Sequence, residues 1–221
     1  MKMRNKRALS AGLFFIIAFI LWTVTVRFFD VKPIGPNGSS VGLATLNGCF
    51  SNLIGVNMML YTITDWLSII PLILCMVFAV SGLIEWFRVK KISLVNRELI
   101  ILGGYFLLVI LIYLFFESVV INYRPVLIDG YLEASYPSST TMLVMCVMPA
   151  SSIHINLFVK KPKVRLLIVT AFSFFTAFMV LGRLISGVHW ISDIIGGALL
   201  SVGLVMLYYS AILLFRQKPL K

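Results

Sequence analysis

The chain has 221 residues, of which 60% are hydrophobic and 12% are charged, and its mean hydropathy is +1.02. This composition excludes an ordinary soluble globular protein. The net charge of +11 would suit a nucleic-acid-binding protein, but such a protein would not contain long apolar runs without charge. We therefore expect a membrane protein whose partners are membrane lipids and not nucleic acid.

Six apolar segments follow one another along the chain, and each is long enough to cross a bilayer. A helix rises about 1.5 Å per residue and the hydrocarbon core is about 30 Å thick, so roughly 20 residues suffice. The alternating pattern of barrel strands is absent. The sequence therefore predicts an all-α fold, a polytopic membrane protein with six transmembrane helices in a bundle with short loops. The predicted spans are residues 8–26, 66–84, 99–116, 134–159, 166–182 and 194–215.

The first span follows a basic stretch, as a secretory signal peptide would. Its 19-residue apolar run is long for a signal peptide, and no small-residue cleavage site follows it, so we expect a retained helix. The connection after it, residues 27–65, is the longest. Residues 41–64 are apolar with Asn and Gly interruptions, which predicts one or two short helices at the membrane interface.

Lysine and arginine are unevenly distributed among the connections. Because these residues are retained on the cytoplasmic side of short loops, their distribution predicts the orientation of the helices. Fifteen of the 19 lie in the N-terminal stretch, the second and fourth connections and the C-terminal tail. We therefore expect both termini to be cytoplasmic. The other four, on the predicted outer side, are Arg27, Lys32, Arg124 and Arg183.

Two segments on the predicted outer side, residues 117–140 and 183–193, carry the candidate phosphate site. The fourth span is opened by Pro137 and three hydroxyl residues, Ser138, Ser139 and Thr140. The first turn of a helix leaves backbone N–H groups free, so this start can bind an anion. Arg124 and Arg183 carry forked donors that fit phosphate oxygens.

The second of these segments also contains His189 and Asp193, four residues apart. On a helix they would share one face, so the carboxylate would hold the imidazole tautomer and leave the other nitrogen free to attack. Taken singly, each of these features has a plainer explanation as a lipid contact, a helix start or a hydrogen-bonded pair. Their position on one side of a topology derived without them favours a shared site.

Three motifs resemble the signatures of the type 2 phosphatidic acid phosphatase superfamily, in its membrane branch, over nearly the whole chain. They are Arg124-Pro125 after the third span, Pro137-Ser138 opening the fourth, and Arg183, His189 and Asp193 before and within the sixth. The resemblance implies that His189 attacks phosphorus to form a phosphohistidine and that Asp193 orients it. It also implies that Arg124 and Arg183 bind the phosphate.

This chain departs from the family pattern at three positions. Glu117 stands where the family has Lys, Gly182 where it has Ser, and Thr140 where its second motif has a general-acid His. His154 cannot replace that acid, because it lies sixteen residues beyond Ser138, about 24 Å along a helix. The remaining outer candidates are Asp129, Glu133, Glu117, Tyr123, Tyr131 and Tyr136.

The missing acid bears on the substrate. An alkoxide needs a proton as it departs, whereas the phosphate released from a diphosphate is a weaker base. The first hypothesis is therefore a lipid phosphatase that favours diphosphates, such as a polyprenyl diphosphate, at the outer face of the membrane. The compact chain suggests a bacterial cytoplasmic membrane, and the topology equally suits an endoplasmic reticulum protein with a lumenal site. The second is a phosphatase-like protein that binds a lipid phosphate or a protein partner without turnover. A transporter is disfavoured, because the predicted spans contain no Lys, Arg, Asp or Glu.

We expect residues 1–221 to form a single membrane-embedded domain. The three cysteines form neither a CxxC pair nor an even set on the outer side, so we predict no disulfide. We also predict no metal and no cofactor.

Overall fold

The computed structural model of the chain describes residues 2–91 and 95–216. In this part of the chain the regular structure is helical, which confirms the predicted all-α fold. A 3₁₀ turn at Pro36–Gly38 lies in the first connection. The α-helices are α1 (Lys2–Phe28), α2 (Ala44–Ile54), α3 (Met58–Leu67), α4 (Ile69–Val89), α5 (Arg97–Ser118), α6 (Ser139–Phe158), α7 (Pro162–Ile185) and α8 (Ile191–Phe215).

Six of the helical segments described are long and apolar enough to cross a membrane, which confirms the predicted number of spans. The second of them, Met58–Val89, combines α3 with α4, because Ser68 between them keeps helical backbone angles. The short helices predicted within residues 41–64 are α2 and most of α3. Their place at the membrane interface stays a prediction.

The fourth span begins later than predicted, at Ser139 instead of residue 134. The residues before Ser139 are not helical. Residues 122–135 instead form two extended segments that fold back on each other. The Arg124 N–H donates to the Glu133 carbonyl at 3.0 Å, and the Ser135 N–H donates to the Asn122 carbonyl at 2.9 Å. These hydrogen bonds keep residues 134 and 135 out of the helix.

The helix α6 lies at the centre of the bundle and packs against α5, α7 and α8, while α1 packs along α8. Its buried side chains join those of α1, α5 and α8 in the main apolar core. Large apolar side chains on α1, α4, α5 and α7 remain exposed, as expected for helices that face lipid. The first residues of α6, which open the candidate site, are thus fixed by the best-packed helix.

Two glycines of α8 allow the start of α6 to approach closely. A Cβ atom at Gly196 would lie 2.6 Å from the ring of Tyr136, and one at Gly197 would lie 3.2 Å from the Ser138 carbonyl oxygen. Tyr136 is buried, and its hydroxyl group hydrogen-bonds to Thr23 of α1 at 2.7 Å. The absence of a side chain at these two positions thus allows α8 to pack closely against the residues that begin α6.

We predict that Gly196→Ala lowers the stability of the protein, because the added methyl group forces the Tyr136 ring away from Thr23. Overpacking of this kind costs about 1–3 kcal/mol. The matched control is Gly104→Ala in α5, where a Cβ atom meets nothing within 4 Å and helix propensity favours Ala. Thermal unfolding in detergent tests this, and equal midpoints for the two variants would contradict it.

Candidate active site

The candidate site lies at the end of the bundle where α5 ends and α6 and α8 begin. Its residues come from the α3 helix, the folded-back residues 122–135, the start of α6, the last turn of α7, the link between α7 and α8, and the first turn of α8. The link packs against the one between α2 and α3, since the Asn57 N–H donates to the Ser186 carbonyl at 2.9 Å. Gly187 has a φ of +68° and leaves no room for a Cβ atom beside the Gly55 carbonyl. A glycine is therefore required there.

His189 lies in this link, before α8 begins, and not on the helix face that the sequence suggested. The link is fixed by Trp190, whose indole N–H donates to the Tyr123 carbonyl at 2.7 Å. The Trp190 backbone N–H donates to Oδ2 of Asp193 at 2.9 Å, so the Asp193 carboxylate caps the N-terminus of α8. His189 and Asp193 are therefore brought together by a helix cap.

The imidazole and the carboxylate are joined by a third residue, Ser135. The Nδ1 atom of His189 is 3.8 Å from Oδ2 of Asp193, which is too long for a hydrogen bond. The Ser135 hydroxyl group lies 3.1 Å from Nδ1 and donates to the Asp193 carboxylate. All three residues are buried. The sequence contained no signal for Ser135, because only the fold-back of residues 122–135 brings it here.

The hydrogen-bond partners of His189 determine its tautomer. Nη1 of Arg124 lies 3.2 Å from Nε2, and a guanidinium can only donate, so Nε2 accepts. Nδ1 therefore carries the hydrogen and donates it to Ser135, whose own hydrogen goes to Asp193. In this series of hydrogen bonds, the Nε2 lone pair of His189 is directed toward Arg124.

The electrostatic surroundings also favour a neutral imidazole. Burial lowers the pKa of His189 well below its usual range, and the positive charges of Arg124 and Arg183 lower it further. A neutral imidazole is the form that has a lone pair for nucleophilic attack.

Arg183 holds the second half of the site together. Its side chain is almost fully buried, and Nη2 donates to Oγ1 of Thr140 at 2.7 Å and to Oδ1 of Asp65 at 3.0 Å. Its guanidinium also lies over the ring of Tyr61, 4.8 Å from the ring centre. Arg124 has a similar arrangement, because its Nε lies 3.0 Å from Oε2 of Glu133. Each arginine is thus ion-paired with one partly exposed carboxylate.

A cavity of about 800 Å³ lies between the two arginines and is lined by both of them. The lining side chains of the predicted site are Arg124, Ser139, Thr140 and Arg183, and the lining carboxylates are Asp65, Glu117 and Glu133. Aliphatic residues of α4, α5 and α6, among them Leu72, Ile110 and Leu143, form the rest of the wall. His189 is buried behind Arg124. Ser138 is also fully buried, and its backbone N–H donates to the Asp193 carbonyl at 3.1 Å.

The comparison of this sequence with protein families gives a match to the PAP2 superfamily over residues 98–216. The chain belongs to the PAP2 superfamily. A similar solved structure is the "first transmembrane PAP2 type phosphatidylglycerolphosphate phosphatase from Bacillus subtilis". It has 17% sequence identity and a TM-score of 0.57, and the similarity covers 96% of this chain and 99% of that chain. No curated protein sequence gives a significant match.

These comparisons confirm the predicted superfamily and the six-helix membrane fold. Together with the apolar helices, they identify the chain as an integral membrane protein. The PAP2 match begins at residue 98, so Tyr61, Thr64 and Asp65 lie outside it. The contacts that α3 makes with Arg183 therefore come from residues before the matched range. Sequence reasoning did not predict Asp65 as a site residue, although it is acidic and directly precedes the predicted second span.

The six residues proposed as candidates for a general acid differ in their position relative to the cavity. Glu117, Glu133 and Tyr123 line the cavity, whereas the Tyr136 hydroxyl group is buried against Thr23. The residues that line the cavity do not include Asp129 or Tyr131. His154 lies near the other end of α6, packed between Phe78 and Phe158. This position agrees with the expectation that His154 is out of reach.

We predict that His189 stays neutral, as the Nδ1–H tautomer, at pH 6, where an ordinary imidazole with a pKa of about 6.5 is mostly charged. Nitrogen-15 NMR of the His154→Gln protein, in which His189 is the remaining histidine, measures this directly. Arg124→Gln raises the pKa of His189, because it removes a positive charge. A His189 that titrates at or above the ordinary value would contradict the prediction.

Proposed function

We propose that this protein is a membrane lipid phosphatase that hydrolyses a lipid phosphate or diphosphate through a phosphohistidine intermediate. The observation that carries the proposal is the chain of hydrogen bonds through His189, in which Nδ1 is tied to Asp193 by Ser135 and Nε2 accepts from Arg124. PAP2 membership and the fold shared with a membrane lipid phosphatase support the same class of activity.

In the proposed reaction, the phosphate group binds Arg124, Arg183 and the N-terminus of α6, and displaces the carboxylates that now pair with the two arginines. Arg124 transfers its Nη1 hydrogen bond from Nε2 of His189 to the bound phosphate, and this frees the Nε2 lone pair. Nε2 then attacks phosphorus, and the bond from phosphorus to the leaving oxygen breaks. The imidazole becomes cationic, and the Ser135 and Asp193 oxygens stabilise it. Water then attacks phosphorus, the P–N bond breaks and orthophosphate leaves.

We propose a diphosphate as the preferred substrate. Thr140 occupies the family's general-acid position, and its hydroxyl oxygen accepts from Arg183. A threonine cannot protonate an alkoxide efficiently at neutral pH. When the terminal phosphorus of a lipid diphosphate is attacked, the leaving group is a lipid monophosphate, which departs without a proton donor. The aliphatic wall of the cavity suits the lipid chain of such a substrate.

A binding protein without turnover is the second candidate. The observation that favours it is that Arg124 and Arg183 already have carboxylate partners, so that phosphate must compete for both. The buried hydrogen-bonded chain at His189 and Asp193 favours catalysis, since binding alone does not require an oriented imidazole.

The proposed orientation follows from charge. The predicted cytoplasmic clusters of Lys and Arg lie at the ends of the helices opposite the candidate site, so the site is extracytoplasmic under the positive-inside rule. We further propose that both termini are cytoplasmic, that the host membrane is the bacterial cytoplasmic membrane, and that residues 1–221 form one domain.

We predict that His189→Ala lowers phosphate release from a polyprenyl diphosphate in detergent on the order of 10³-fold or more, because the nucleophile is lost. His154→Ala, a matched control in the same fold, retains activity. Wild-type protein cleaves phosphatidic acid roughly 10²-fold or more slowly than the diphosphate, since a general acid contributes about that factor. Equal rates on both lipids would contradict the diphosphate preference, and no release from either would favour the binding protein.

We predict that Asp65→Asn tightens the binding of inorganic phosphate by up to about fivefold, because one competing carboxylate is removed from Arg183. The control is Asp129→Asn, which removes the same charge on the same side, at a residue that is not part of the cavity lining. Isothermal titration calorimetry measures both affinities without reference to turnover. Weaker binding by Asp65→Asn would mean that Arg183 needs Asp65 to hold its position.

A further inference from the structure

A second large cavity lies at the opposite end of the bundle from the candidate site. It has a volume of about 1050 Å³ and is lined by residues of α1, α6, α7 and α8. The helix packing explains its position, because α7 packs closely on α6 and makes little contact with α8. The proposed hydrolysis does not use this cavity.

Three arginines from different parts of the chain line it: Arg4 near the start of α1, Arg165 in the first turn of α7, and Arg216 directly after α8. Arg216 pairs with Glu98 at 2.7 Å. Within residues 2–91 and 95–216, Arg4 and Arg165 form no ion pair. The cavity therefore carries a net positive charge at the level where the helices end.

The remainder of the wall is mostly apolar. Its aliphatic side chains and methionine are Ile153, Leu157, Val205, Met206, Ile212 and Leu213. Val205 lies eleven residues before Arg216 in the sequence, so the lining extends about 16 Å along α8 from the arginine level. A second groove of about 510 Å³ shares Ile153 and runs between α6 and α7 as far as Met145 and Val180. The arginines are thus followed by a long apolar surface.

We propose that this cavity binds an anionic phospholipid of the membrane leaflet at this end, with its phosphate at Arg4 and Arg165 and an acyl chain along the apolar wall. Basic pockets between transmembrane helices recognise anionic lipid head groups in this way. A free phosphate ion would contact the arginines and leave the apolar wall unused. The lipid is not a substrate, because the 20 residues of α6 put this end about 30 Å from the candidate site.

The test is equilibrium binding of fluorescent phosphatidylglycerol to the full-length protein in detergent, with inorganic phosphate present in excess to occupy the candidate site. Phosphatidylcholine with the same fluorophore is the comparison lipid. The variant Arg4→Gln/Arg165→Gln removes both unpaired charges. The control Lys160→Gln/Lys161→Gln removes two exposed charges at the same end that do not belong to the cavity lining.

We expect phosphatidylglycerol to bind more tightly than phosphatidylcholine, and the arginine variant to bind it roughly 25-fold more weakly, or roughly 5-fold for each charge. The lysine control changes little. Equal binding of the two lipids, or equal losses in both variants, would overturn the proposal. If the double variant does not fold, Arg165→Gln alone is expected to lose roughly fivefold.

Discussion

The hydroxyl group of Ser135 is the contact on which the candidate site depends. It joins the imidazole of His189 to the carboxylate of Asp193, which cannot bond to that ring directly at 3.8 Å. This bridge requires the extended residues before α6 to pass over the start of α8. The close contact at Gly196 and the hydrogen bond from Ser138 to the Asp193 carbonyl keep the two segments together. The packing of the central helices therefore also determines the orientation of the His189 imidazole.

Charge balance is the second constraint on the site. A buried guanidinium without a partner is costly, and Asp65 supplies the partner of Arg183 from outside the PAP2 match. The same carboxylate repels an incoming phosphate, so affinity reflects the difference between the two effects. Thr140 fits this arrangement, because its hydroxyl oxygen accepts from Arg183 and carries no charge. Thr140 and Asp65 thus both accept from Nη2 of Arg183.

Most of the fold could be predicted from the sequence, because apolar length decides which segments cross a membrane and the six spans are separated by charged residues. The start of α6 could not, since residues 134 and 135 are apolar or small, and the backbone hydrogen bonds of Arg124 with Glu133 and of Ser135 with Asn122 keep them extended. Spacing and family resemblance predict His189, Asp193, Arg124 and Arg183 as site residues. Ser135 and Asp65 act through contacts between distant segments, which no local pattern encodes.

The most direct measurement is to stop the reaction during turnover of a polyprenyl diphosphate that carries labelled terminal phosphate, and to map the label on the protein. A phosphohistidine is stable to alkali and labile to acid. We expect a label with these properties on His189, and we expect it to be absent from His189→Ala. Phosphate release without any protein-bound label under rapid quenching, or a label on another residue, would contradict the proposed role of His189.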